Sequence, residues 1–193
     1  EPLPASKVRT RPDGQTVASV FPATRMDQLL FHGVGADVWL EPGVTPEQAR
    51  TGAASQYRGG GYADAPGVAL VLGAGNVGTI TTLDILDVLY ADGQVAIAKM
   101  NPVNDYLSPF YERIFVDYVS RGFVRFVHGG PELGGYLTHH DLVDRVHMTG
   151  SARTHDAIVW GVGEEGERRR RDGEPLLTKP FTSELGGVSP TIV

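Results

Sequence analysis

From residue 66 onward, short apolar runs alternate with longer stretches whose apolar positions recur every three or four residues. That is the pattern of parallel strands buried on both faces and joined by amphipathic helices. The runs Val68 to Leu72, Gln94 to Lys99, Val124 to His128, Arg145 to Thr149 and Thr191 to Val193 predict strands. Between them the spacing predicts helices over Val77 to Leu89, Asp105 to Ser120, Pro131 to Thr138 and Ala152 to Trp160. In the second of these, Tyr106, Phe110, Ile114 and Val119 supply apolar positions, while Arg113 and Asp117 mark a wet face. Such alternation implies an α/β fold with a doubly wound, mostly parallel sheet, in which ligands bind beyond the carboxyl ends of the strands. The stretch from Gly161 to Glu174 breaks the pattern: Arg168 to Arg171 sit among five acids, which reads as a solvated loop.

Residues 1–65 look different. Pro2, Pro4, Pro12, Pro22, Pro42, Pro46 and the Gly59-Gly60-Gly61 run punctuate weak periodicity, so short strands and loops are expected, with strands over Val17 to Phe21 and Ala36 to Leu40 and a helix after Pro46. The chain therefore divides into a flanking segment, residues 1–65, and a ligand-binding domain, residues 66–193. Seventeen Lys and Arg against 23 Asp and Glu give a net charge of −6, which argues against a broad grip on nucleic acid or an anionic membrane. Neither a signal sequence nor a membrane-spanning apolar run is present, so a cytoplasmic location is expected. With no cysteine, the chain has no disulfide, thiolate metal site or cysteine nucleophile. The six histidines do not form a metal set; neighbours such as His139 and His140 point to different helix faces. Opening on Glu1 and stopping at Val193 inside an apolar run, the sequence reads as a piece of a longer protein.

Three segments carry candidate chemistry. Gly73-Ala74-Gly75-Asn76-Val77-Gly78 follows a strand and opens a helix, the context of a dinucleotide-binding turn, although glycines there also suit a plain tight turn. Such a turn wants a carboxylate about twenty positions on, for the ribose. Here that place holds Lys99-Met100-Asn101-Pro102, where a lysine answers a 2′-phosphate or donates to ribose hydroxyls. Next, Met148-Thr149-Gly150-Ser151 runs from strand into helix, offering backbone N–H groups and a hydroxyl to an anion or cofactor, or simply a helix cap. Finally, Phe181 to Pro190 sets Glu184 beside Gly186 and Gly187 just before a strand.

In this order and spacing the segments resemble the cofactor-binding half of the aldehyde dehydrogenase superfamily, over about Pro66 to Val193, with Glu184-Leu185-Gly186-Gly187 the most specific element. The resemblance implies a Rossmann-like cofactor domain that binds NAD or NADP. It further implies oxidation of a small aldehyde to a carboxylic acid through a cysteine thiohemiacetal and thioester. By resemblance Asn76 is the oxyanion donor and Glu184 the base that activates water. Lys99 meets the adenosine ribose, Gly130 and Gly134 the adenine side, and Thr149, Gly150 and Ser151 the pyrophosphate, with Leu185 and Gly186 also at the cofactor. The cysteine is then expected a few tens of residues beyond Glu184, past Val193, so these 193 residues alone are expected to be inactive. The full-length enzyme is expected to be a homodimer or homotetramer. Pro102 stands where the family often has a glutamate, His155 where a glycine is usual and Val188 where a lysine is common, and the aromatic and prolines around the asparagine are absent, which marks a divergent branch. Three alternatives stay open: an acyl-CoA or acyl-phosphate reductase of the same fold, a non-catalytic relative, and a dehydrogenase using Gly73, Gly75 and Gly78 on phosphates.

Overall fold

A computed structural model of the chain describes residues 3–54, 57 and 67–186 and separates two compact units, residues 1–63 and 64–193. The predicted strand Thr191 to Val193 lies outside the described residues, as do Gly187 and Val188. Among the described residues no helix is long and apolar enough to cross a membrane.

In the first unit β1 (Val8–Thr10), β2 (Thr16–Phe21) and β3 (Ala36–Trp39) form an antiparallel meander with β2 in the middle. Helix α1 (Arg25–Leu30) is absent from the sequence-based expectation, yet its start is written in the sequence as a capping box. Thr24 Oγ1 accepts from the Asp27 amide, and the Asp27 carboxylate accepts from the Thr24 amide, which holds that carboxyl below its usual range. Helix α2 (Pro46–Gly52) starts at the same device, Thr45 with Gln48, and buries Ala49.

The second unit is built on five parallel strands: β4 (Val68–Leu72), β5 (Val95–Lys99), β6 (Val124–Val127), β7 (Arg145–Gly150) and β8 (Phe181–Leu185). Their order is β6-β5-β4-β7-β8, so the chain winds outward from β4 to one edge, then returns to the other side for β7 and β8. Registers such as Leu72↔Lys99, Leu72↔Met148 and Met148↔Ser183 align the carboxyl ends of four strands. Ala69, Val71, Ala96, Ala98 and Val124 pack on one face against Ile85 of α3 (Gly78–Asp87), Val88 of the π-turn that continues it, and Phe115. Leu70, Leu72, Ile97 and Val146 face the other way, onto Leu137 of α6 (Pro131–His139) and Val143. Burial on both faces explains why the central strands β4 and β5 are almost continuously apolar, and it establishes the doubly wound α/β architecture.

Three expectations are corrected. The segment from Asp105 to Ser120 is not one helix but a 3-10 turn (Pro102–Leu107), α4 (Ser108–Ile114) and α5 (Val116–Ser120). The break falls at Phe115, whose ring is 2% exposed in the core. The supposed loop from Gly161 to Glu174 contains α8 (Gly163–Asp172), which follows α7 (Ala152–Trp160). It lacks a buried apolar stripe; Gly166 alone is buried, and helicity is supported by Glu165 pairing Arg168 and Arg169 and by Arg168 pairing Asp172. Those two arginines hold the Glu165 carboxyl down at about 2. Finally, β8 is a strand absent from the sequence-based expectation: Glu184 lies inside it, registered opposite Thr149, and the strand expected after Glu184 lies outside the described residues.

Replacing Leu70, which is 0% exposed, with alanine is expected to cost about 3 kcal/mol in a urea-unfolding experiment, with the cavity adding to the transfer term. Leu83→Ala, at a position 61% exposed, is expected to change stability by no more than about 0.5 kcal/mol. Equal costs would mean that the α6-facing side of the sheet is not a core.

Candidate cofactor and active-site cleft

A cleft of about 990 Å³ opens over the carboxyl ends of the strands, where the winding direction reverses between β4 and β7. Its first wall is the turn after β4. The Gly73 amide donates to the Lys99 carbonyl at 3.0 Å, and Asn104 Nδ2 donates to the Ala74 carbonyl at 2.9 Å. A Cβ on Gly73 would lie 2.7 Å from Thr81 Oγ1, and one on Gly75 would lie 2.8 Å from Asn101 Nδ2. Glycine at both places lets the turn pack closely against Thr81 of α3 and Asn101 beyond β5, which a larger residue would have to displace. Asn76 follows directly. Its Oδ1 accepts from the Val77 amide at 2.9 Å, which orients the side chain and leaves its NH₂ to donate elsewhere.

Lys99 ends β5, is 7% exposed as a residue, and lines the cleft with its side chain. Its ammonium has no hydrogen-bond or ion-pair partner among the described residues. Burial pushes its pKa down, and the Asp105 charge pushes it back up. Asp105 itself is engaged by His128 Nδ1 at 3.2 Å. At the end of β7, Thr149 Oγ1 donates to Asp84 Oδ2 at 3.2 Å, and the Gly186 amide donates to the Gly150 carbonyl at 3.2 Å. Ser151 is the N-cap of α7, its Oγ accepting from the Thr154 amide at 3.1 Å, so the plain capping role is real whatever else the residue does.

The fold thus brings Asn76, Lys99, Gly134, Thr149, Gly150, Ser151, Glu184 and Gly186 to one cleft. Gly130 and Leu185 are not part of its lining. Gly130 caps α6, and strand alternation sends Leu185 to the sheet face opposite Glu184. Sequence reasoning missed Asn101, His139, Thr154 and Ile158, which also line the cleft. For Asn101 a signal existed: an asparagine before proline is a favoured cap, and its Oδ1 accepts from the Val103 amide at 3.1 Å. Nothing in the sequence distinguishes His139 from its exposed neighbours on α6.

Residues 65–193 match the family model described as the aldehyde dehydrogenase family. Among solved structures, proline utilization A with proline bound in remote sites is 18% identical over 63% of this chain and 12% of its own, with a TM-score of 0.50. A proline utilization A mutant from Bradyrhizobium japonicum gives the same identity, coverage and TM-score. Succinic semialdehyde dehydrogenase from Streptococcus pyogenes, in complex with NADP⁺ as the cofactor, is 19% identical over 63% of this chain and 24% of its own, with a TM-score of 0.47. The chain spans 12% to 24% of the length of these structures, and the two at 0.50 share its fold. No curated protein sequence matches the chain. With the family model covering the greater part of its length, the whole parallel-sheet unit described above included, the chain belongs to the aldehyde dehydrogenase family.

Proposed function

We propose that residues 66–193 are the cofactor-binding domain of an NAD(P)-dependent aldehyde dehydrogenase, flanked by residues 1–65, whose cysteine nucleophile comes from outside this cysteine-free chain. The observation that carries the reading is the convergence of Asn76, Lys99, Thr149, Ser151 and Glu184 on one cleft above a parallel sheet. The whole enzyme is read as a cytoplasmic homodimer or homotetramer acting on a small aldehyde.

The cleft suits a dinucleotide on its own chemistry. The ammonium of Lys99, at the cleft without a partner among the described residues, calls for an anion or hydroxyl oxygens, α7 begins at the cleft wall, and the absent side chain of Gly134 leaves room for close approach. When bound, the nicotinamide supplies hydride acceptance. Asn76, already oriented by the Val77 amide, donates to the oxyanion that develops as the thiolate adds to the carbonyl. The Glu184 carboxylate makes no hydrogen bond or ion pair with the described residues, so it is available to take a proton from the water that cleaves the thioester. An acyl-CoA or acyl-phosphate reductase has little use for such a base, and the place of Glu184 in the cleft favours hydrolysis.

Charge extends the reading to the nucleotide. Glu184 is the one carboxylate among the described lining residues, and Asp105, which faces Lys99 electrostatically, is already engaged by His128. The chain is therefore expected to bind NADP⁺ more tightly than NAD⁺ in a calorimetric titration. Lys99→Met is expected to weaken NADP⁺ about tenfold, roughly 1.4 kcal/mol, and to level the two affinities. Equal affinities that Lys99→Met leaves untouched would rule out this use of the lysine.

In the full-length enzyme, Glu184→Gln is expected to lower the steady-state rate by about 10²-fold or more while a burst of reduced cofactor persists, because deacylation slows before hydride transfer does. Asn76→Ala is expected to lower kcat by about 10²-fold and to suppress the burst itself. The 193-residue chain alone should oxidise no aldehyde. An unchanged rate with no burst in Glu184→Gln would remove Glu184 from the chemistry.

A further inference from the structure

The α3-facing side of β7 and β8 buries a polar cluster of which Asp84, His147 and Thr182 have no part in the proposed chemistry. One carboxylate on α3, Asp84, reaches two alternate residues of β7. Its Oδ2 accepts from Thr149 Oγ1 at 3.2 Å, and its Oδ1 faces His147 Nε2 at 3.4 Å. The tie then crosses to the neighbouring strand, where His147 Nδ1 is bonded to Thr182 Oγ1 at 2.8 Å. Register sets His147 opposite Thr182 and Thr149 opposite Glu184, so the cluster lies one step below the pair at the cleft. The side chains of His147 and Asp84 are only 19% and 12% exposed. His147 Nε2 is buried without a hydrogen bond, and a buried polar atom of that kind needs an explanation.

We propose that His147 and Asp84 are positioning residues which clamp the carboxyl ends of β7 and β8, keeping Thr149 and Glu184 side by side at the cleft. The inference rests on the reading of Thr149 and Glu184 given under the proposed function. A protonated His147 donates from both nitrogens, Nδ1 to Thr182 and Nε2 toward Asp84, which gives the orphaned nitrogen its partner. A neutral ring keeps one N–H and loses the ionic half of the tie. The surroundings favour the cation: the hydrogen-bonding influence of Asp84 raises the pKa of His147, burial opposes it, and the charges of Asp84, Asp87 and Glu184 add to the rise. Asp84 and Asp87 face the ring from α3 and Glu184 from β8, while Arg145 on β7 itself is occupied by Asp92 at 2.8 Å. With the folded pKa above the ordinary value of about 6.5, the stabilisation is fully present below that pH and is lost as pH rises through the folded midpoint.

The test follows histidine ring carbons and backbone amides of the 193-residue chain by NMR from about pH 5 to about pH 9. The His147 ring is expected to titrate above about 6.5, with the amides of Thr149, Gly150 and Glu184 shifting at the same midpoint. Asp84→Asn is expected to lower that midpoint. His147→Gln, a neutral hydrogen-bonding replacement that serves if Asp84→Asn does not fold, is expected to flatten the three amide profiles. Amides that stay flat through the His147 titration, or that move identically in His147→Gln, overturn the clamp. NADP⁺ titrations of the same chain should show affinity falling severalfold as pH rises through the midpoint, and His147→Gln should abolish that fall. If no dinucleotide binds at any pH while the amides still track His147, the cofactor reading fails and the clamp stands; binding with uncoupled amides gives the reverse.

Discussion

The close passage of the backbone between β4 and α3 is the constraint on which the rest of the second unit depends. At Gly73 and Gly75 the chain runs so near Thr81 and Asn101 that a single added carbon would sit 2.7 or 2.8 Å from a side-chain atom. Because it can run there, the Gly73 amide reaches the Lys99 carbonyl and joins the β4 turn to the end of β5. Asn76 is thereby delivered to the same cleft as Lys99 and Asn101. A G-x-G signature is commonly taken as a phosphate cradle, yet both glycines also serve close packing against Thr81 and Asn101. Their presence speaks for the turn, and the chemistry has to be argued from the side chains the turn positions.

Strands β4 and β5 were legible because burial on both faces leaves a short, nearly continuous apolar run, while β6 and β7 kept enough apolar positions, Val124 with Phe126 and Val146 with Met148, to be read beside them. Helix α8 was not, since its stability comes from charges spaced three and four apart, a pattern that also describes a solvated loop when only the sum of charges is read. The break at Phe115 is likewise invisible to helical periodicity: the ring turns into the core between α4 and α5, and that demand is tertiary. Strand β8 was hidden by its composition, for Thr182, Ser183 and Glu184 carry little apolar signal, and β7 supplies the pairing that makes them a strand.

For the cleft, the legible residues are those that end strands or open helices, because fold topology alone carries such positions to one side of a parallel sheet. Asn76, Lys99, Thr149 and Ser151 are of this kind. His139, Thr154 and Ile158 lie within or at the far end of helices, where the face presented to the cleft depends on how α6 and α7 seat against the sheet. Gly130 shows the opposite limit. A glycine at a strand-to-helix turn also suits an N-cap, the position Gly130 holds at the start of α6.

Strand alternation also divides the cleft into two halves with different chemistry. On β5 and β7, Lys99 and Met148 share the face of Leu72, Val146 and Ile97, which α6 covers. One residue along β7, His147 and Thr149 take the other face, where Thr182 and Glu184 of β8 stand beside them and Asp84 of α3 meets them. Lys99 is thus on the side of the sheet that α6 covers, and the carboxylate of Glu184 on the other, with both lining the same cleft as Asn76. A shift of one residue in the pairing of β7 with β8 would exchange these faces and leave Glu184 on the side of Lys99. The polar tie from Asp84 through His147 to Thr182 joins the two strands one step from the Thr149 and Glu184 pair, and Phe181 of β8, opposite Val146, adds apolar packing to the same register.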